Sequence, residues 1–153
     1  MPTTIPMIQV YHLGTELFSG RRLRLTDTIT VEMEGKKMVI CEASVPVFSM
    51  KMVQVVGKAL LVDYPKTAAG QNGRGWGVLA MLIALYHGVS AGCTKVELAS
   101  AIEQTRASLS FWGKFGIARM NGTPLRYSLE RGLGWVLANC TQNSKESTDF
   151  VLN

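Results

Sequence analysis

With 153 residues, 47% of them hydrophobic and 18% charged, and a net charge of +5, the chain has the content of one globular domain with a core of its own. Its three cysteines, Cys41, Cys93 and Cys140, are odd in number and far apart. That excludes a disulfide framework and paired zinc-ligand spacing, and it reads as reduced thiols in a cytoplasmic protein.

The opening "MPTTIPMIQVYHLGTELF" has no basic start followed by an apolar run, so no secretory signal is expected. The cluster Arg21-Arg22-Leu23-Arg24 reads as an exposed strand or loop face; without interleaved aromatics it does not support nucleic-acid binding. "TITVEMEG" and "KKMVICEA" alternate apolar and polar residues about Glu34-Gly35, which predicts two antiparallel strands joined by a tight turn. "MKMVQVVGKALLVDYP" is rich in valine and leucine; Gly57 marks a bulge or bend in it, and Pro65 is its expected end.

The loop "PKTAAGQNGRG" comes next and opens a helix expected from about Trp76 to Val89. No Asp, Glu, Lys or Arg stands between Arg74 and Lys95, yet the unbroken aliphatic run is only Val78 to Leu85, flanked by glycines and by Tyr86, His87, Ser90 and Thr94. A spanning helix needs about 20 mostly apolar residues, so the segment reads as the buried helix of a soluble domain. "CTKVELAS" reads as a short strand, and "AIEQTRASLSFWGKF" as a helix stopped near Gly116. "GIARM", Asn121-Gly122 and "TPLRYSLE" carry a hairpin signal, because Asn-Gly takes left-handed angles readily. From Thr141 the sequence is polar and is expected to fray. The fold class is therefore α/β or α+β: a mixed, mostly antiparallel sheet flanked by helices, with a C-terminal β-hairpin, as one domain over residues 1–140 and a polar tail over 141–153.

The glycine loop is the candidate site. A strand running into a glycine-rich turn at a helix N-terminus leaves backbone N–H groups unpaired where the helix dipole is positive, and such a place attracts phosphate. Gly73, Gly75 and Gly77 admit a ligand close to the backbone, and Arg74 adds a charge. Between Lys51 and Val96, five basic residues stand against the single acid Asp63, so the stretch is either an ordinary solvated surface or the positive field of an anion site. The spacing is neither that of the ATP-binding P-loop nor that of the dinucleotide-binding fingerprint.

"NGRGWGVLAMLIALYHGVSAGCTKVELAS" followed by "TRASLSFWGKFGI" resembles the GNAT superfamily of N-acetyltransferases over about residues 53–130. Asn72-Gly73-Arg74-Gly75-Trp76-Gly77 sits on that family's Arg/Gln-x-x-Gly-x-Gly/Ala loop, and Phe111-Trp112-Gly113-Lys114-Phe115-Gly116-Ile117 on its aromatic pair before Gly-Phe. The resemblance implies a GNAT-like domain that takes acetyl-CoA or another acyl-CoA as its acyl donor. The pyrophosphate would lie against Asn72, Gly73, Arg74, Gly75, Trp76, Gly77 and Val78, the pantetheine against the backbone near Leu61 and Val62, and Trp112 beside the thioester. An amine acceptor, unidentified, would attack the thioester directly, without a covalent enzyme intermediate.

The tyrosine that often protonates the departing thiolate in that family is Trp112 here, and an indole N–H is a poor acid. Asp63 and Ser110 are the substitute candidates, each otherwise an ordinary turn or helix-surface residue. The alternative is a GNAT-like CoA-binding or structural protein without turnover. His12 and His87 stand alone, so no metal is expected. Self-association into a homo-oligomer stays open.

Overall fold

The computed structural model describes residues 3–17, 22–99, 106–117, 122–143 and 148–153. It starts with β1 (Thr3–Pro6) and α1 (Met7–Thr15), then β2 (Leu23–Arg24), β3 (Ile29–Glu34), β4 (Lys37–Glu42), β5 (Val45–Val56) and β6 (Ala59–Thr67). It continues through α2 (Trp76–Ser90), β7 (Lys95–Leu98), α3 (Arg106–Gly113), β8 (Thr123–Pro124), α4 (Leu125–Asn139), β9 (Thr141–Asn143) and β10 (Thr148–Leu152). This is a mixed α+β fold whose main sheet, among the described residues, runs in the order β2-β3-β4-β5-β6-β7-β8. All neighbours are antiparallel except β6 and β7, which are parallel and joined through α2.

β3 and β4 form the expected hairpin around Gly35, with Val31 opposite Ile40 and both buried. Gly57 is not a bulge: at φ 60° it makes the turn of a second, longer hairpin, β5–β6, in which Val56 pairs with Ala59. A short glycine turn lets two valine-rich strands pair directly, and that outweighs one bent strand. Nor does Pro65 end its strand, since β6 continues to Thr67 with Pro65 opposite Met50. Past Leu98↔Val62, no described residue of β7 pairs with β6. A residue without an N–H is tolerated on such an open edge.

α2 matches its expected span, and its buried residues lie on every side of the helix: Val78, Leu79, Met81, Leu82, Ile83 and Leu85 all belong to the core. A helix apolar all round needs cover all round. β5 and β6 supply it from the sheet, and α1 and α4 from the outer side. β7 follows where expected, and the described part of the next helix is α3; residues 101–105 of the expected helix lie outside the described residues.

Two expectations about the C-terminal third are overturned. "TPLRYSLE" is not the second arm of a hairpin: Thr123–Pro124 is a brief strand on β7, and Leu125 begins α4. Leu125, Ser128, Gly132 and Val136 are its buried positions, a helical spacing that the short alternation at its start conceals. Asn121 lies outside the described residues. The described residues of the polar tail do not fray, because β10 is the middle strand of a second sheet, β1-β10-β9, and its Phe150 and Leu152 are fully buried. The C-terminal hairpin is thus β9–β10, and its apolar side chains, two residues apart, face the core. Arg22 of the early basic cluster is exposed and pairs with Glu32 at 3.3 Å; Arg21 lies outside the described residues.

Candidate functional site

The turn between β6 and α2 is held by the chain around it. The N–H of Ala68 donates to Val47 O at 2.9 Å and that of Gln71 to Ala68 O at 3.0 Å. Gly75, at φ 106°, is the residue that caps α2, a conformation a side chain would oppose. Among the described residues no side chain caps the helix, and no acid occupies its first turn. The first helical bond is Leu79 N–H to Gly75 O, at 3.0 Å. The N–H groups of Trp76, Gly77 and Val78 therefore have no acceptor within the helix.

These residues line a cavity of about 590 Å³. Asn72, Gly73, Arg74, Gly75, Trp76, Gly77 and Val78 form one wall; Phe111, Trp112 and Lys114, from the end of α3, form another. Trp135, Asn139 and Cys140, at the end of α4, close it on the third side, and Phe48, Pro65 and Thr67 of the sheet form its floor. Phe111 stands edge-on to Trp112, ring centroids 4.8 Å apart. Trp112 is only 3% exposed, and its indole N–H has no hydrogen-bond partner among the described residues.

Arg74 does not present its charge to the cavity alone. Its Nη1 donates to Glu42 Oε1 and to Gln71 Oε1, both at 2.9 Å, and its Nη2 to Glu42 Oε2 at 3.4 Å. Its Nε donates to the carbonyl of Asn153, whose own N–H donates to Arg74 O at 3.1 Å. Gln71 Oε1 also accepts from Trp76 Nε1 at 3.1 Å, so one amide oxygen ties Arg74 to the first residue of α2. The expected phosphate ligand is the brace of the loop. Of the two cations among the described residues lining the cavity, Lys114 makes no ion pair with a described carboxylate, and its ammonium lies 4.6 Å from the centroid of Trp135 and 5.9 Å from that of Phe111.

Other expected residues fall elsewhere. Leu61 and Val62 are paired on both sides, with Gln54 and Val53 of β5 and with Glu97 and Leu98 of β7, and Val62 O accepts a further bond from Ala99 N–H at 2.8 Å. That leaves no backbone edge for a pantetheine at those two residues. Asp63 is buried opposite Met52 and Ser110 is exposed on α3; neither lines the cavity.

No family model, curated protein or solved structure matches the chain. Among the described residues no group of His, Cys, Asp and Glu could hold a metal ion, and no helix is long and apolar enough to cross a membrane.

Trp135 was legible in the sequence as a core or pocket-wall aromatic, and it lines the cavity; Asn139 and Cys140 were not legible as site residues because they arrive on a helix that was not expected there, nor was Lys114, which stood inside the aromatic motif as a spacer. Burial pushes the Cys140 thiol up, with the Lys114 ammonium pulling the other way. It therefore stays protonated at neutral pH. The assembled groups are amide, indole and ammonium donors against aromatic walls, with no acidic residue among the described residues lining the cavity. Such an arrangement takes an acceptor-rich anion carrying an apolar or planar portion.

Proposed function

We propose that the protein binds an acyl-coenzyme A in this cavity and transfers the acyl group to a primary amine. The observation that carries the reading is the uncapped start of α2, whose free amides border a cavity also walled by the Phe111-Trp112 pair. The resemblance to the N-acetyltransferases puts a pyrophosphate and a thioester at those two places. The order of strand, glycine loop, helix, parallel strand and helix, from β6 to α3, also supports it. Because β6 is closed at Leu61 and Val62, the pantetheine lies further along, beside Pro65 and Thr67, where β6 has left β7 and borders the cavity.

The chemistry is a direct displacement: the amine nitrogen attacks the thioester carbonyl, the C–S bond breaks, CoA leaves as its thiolate, and water or a base takes the amine's proton. The polarised carbonyl is stabilised by backbone N–H donors.

A second reading, CoA binding without turnover, is favoured by one observation: the group beside the expected thioester is Trp112, and neither Asp63 nor Ser110 reaches the cavity. Calorimetry with CoA and acetyl-CoA, followed by thiol release over a panel of amines, separates the two. Saturable binding with amine-dependent release supports transfer; binding without release for any amine supports the second reading; no heat at millimolar ligand sinks both.

A further inference from the structure

We propose that Lys114, rather than Arg74, is the cation that recognises the ligand's phosphate, acting with the free amides of α2 and the indole N–H of Trp112. The inference rests on the reading of the cavity as a ligand site and names its anion-binding set.

Arg74 is committed to Glu42, Gln71 and the main-chain oxygen of Asn153, so its charge is matched and four of its five N–H donors are used. Lys114 is placed differently. Among the described residues it makes no ion pair, and its half-buried ammonium rests on the rings of Trp135 and Phe111 in the wall of the cavity. A ring face attracts a cation without accepting its N–H bonds in full, so those donors stay available to an anion. The aromatic shelf also fixes the stem and limits the rotamer freedom lost on binding.

Trp112 supplies the independent sign of a ligand. An indole N–H out of reach of solvent is ordinarily hydrogen-bonded, yet this one, on a residue of the cavity wall, has no partner among the described residues. Amides, ammonium and the indole-bearing residue line one cavity with no Asp or Glu side chain on its described walls, so the missing partner is an anion with several acceptor oxygens. A phosphate or diphosphate group meets that description, whether free, in coenzyme A or in another nucleotide.

The test is calorimetric titration of the full chain with inorganic pyrophosphate, with ADP and with CoA, on the wild type and on Lys114→Met, Lys114→Arg and Lys58→Met. The methionine keeps the stem on its aromatic shelf and removes the charge; Lys58 is an exposed control at the β5–β6 turn. Loss of one charge-assisted contact weakens pyrophosphate binding by about tenfold or more in Lys114→Met, with Lys114→Arg largely restored and Lys58→Met unchanged. The wild type gives a second readout independent of any variant's folding: the indole N–H resonance of Trp112 moves on adding pyrophosphate.

Unchanged affinity in Lys114→Met, an equal loss in Lys58→Met, or a Trp112 resonance that stays in place at saturation overturns the assignment. Binding of CoA but not of pyrophosphate or ADP also overturns it while leaving the acyl-CoA reading intact. Binding of pyrophosphate and ADP without CoA upholds the anion site and removes the acyl-CoA reading.

Discussion

Arg74 shows how far a single residue can be read. Its place in "GQNGRGWG" suggested a counter-ion for a ligand, and its neighbours gave no other partner. The partner is Glu42, 32 residues away at the end of β4, and the pair is partly buried, with side-chain exposures of 24% and 25%. It is brought there by the turn at Ala43 and Ser44, whose φ values of 51° and 68° are left-handed without a glycine to signal them. A contact that depends on strand register is not legible from local pattern. Arg74→Met, which also loses the bonds to Gln71 and Asn153, is expected to cost more stability than Glu42→Gln, with both in the range of about 1–3 kcal/mol. The double variant is expected to lose about 1 kcal/mol less than the two single losses combined, because the pair can be broken only once. Urea unfolding of the four proteins measures this, and strict additivity would show that Arg74 and Glu42 are not coupled.

Among the elements, those whose signal is local were legible. The glycine loop and the charge-free run after it placed α2, and strict alternation placed β3 and β4. α4 was not, because its first residues alternate like a strand and its buried spacing emerges only over the full helix. The close approach of α1 to α2 was likewise invisible, although one residue decides it. A Cβ on Gly14 would stand 2.6 Å from Tyr86 Cβ and 2.9 Å from the carbonyl of Ile83, atoms that cannot yield without moving a helix. Gly14→Ala is therefore expected to destabilise by about 1–3 kcal/mol in spite of alanine's better helix propensity. Gly134→Ala, at an exposed position of α4 with nothing within 4 Å, is expected to stabilise by about 0.5–1 kcal/mol. Thermal unfolding of both variants tests the contrast, and shifts of the same sign would mean that the helices do not close on Gly14.

The same seam carries a pH dependence. Burial lowers the His87 imidazole below its ordinary 6.5, partly offset by a backbone hydrogen bond at Gly14. Between the two values the unfolded chain binds a proton that the folded chain refuses. Stability is therefore full above the unfolded value and falls as pH drops through it. The urea midpoint is expected to be lower at about pH 5.5 than at about pH 7.5, and His87→Gln to flatten that difference. An identical pH slope in the variant would acquit His87.

At the scale of the whole molecule, the candidate site is assembled by the two ends of the described chain. β1 pairs with β10, Thr3 opposite Leu152, and β10 carries Phe150 and Leu152 into the core beneath the glycine loop. The side chains of both residues lie within 4 Å of where a Cβ on Gly75 would be, and Asn153 is tied to Arg74 in both directions. The polar composition of the last residues hid this, because two buried side chains in a short segment barely change its average. A strand that supports the turn before α2 gives the site its shape from outside the motif. Phe150→Ala removes a fully buried ring and is expected to cost about 3–5 kcal/mol of global stability. The turn rests on that ring more directly than the distant β3–β4 hairpin does. Amide exchange at Gly73 to Trp76 is therefore expected to accelerate beyond the loss of global stability, while the β3–β4 amides slow or quicken only with it. Equilibrium unfolding with residue-resolved hydrogen exchange reads both quantities at once. Equal acceleration at the two places would mean that β10 stabilises the fold as a whole and has no particular hold on the loop.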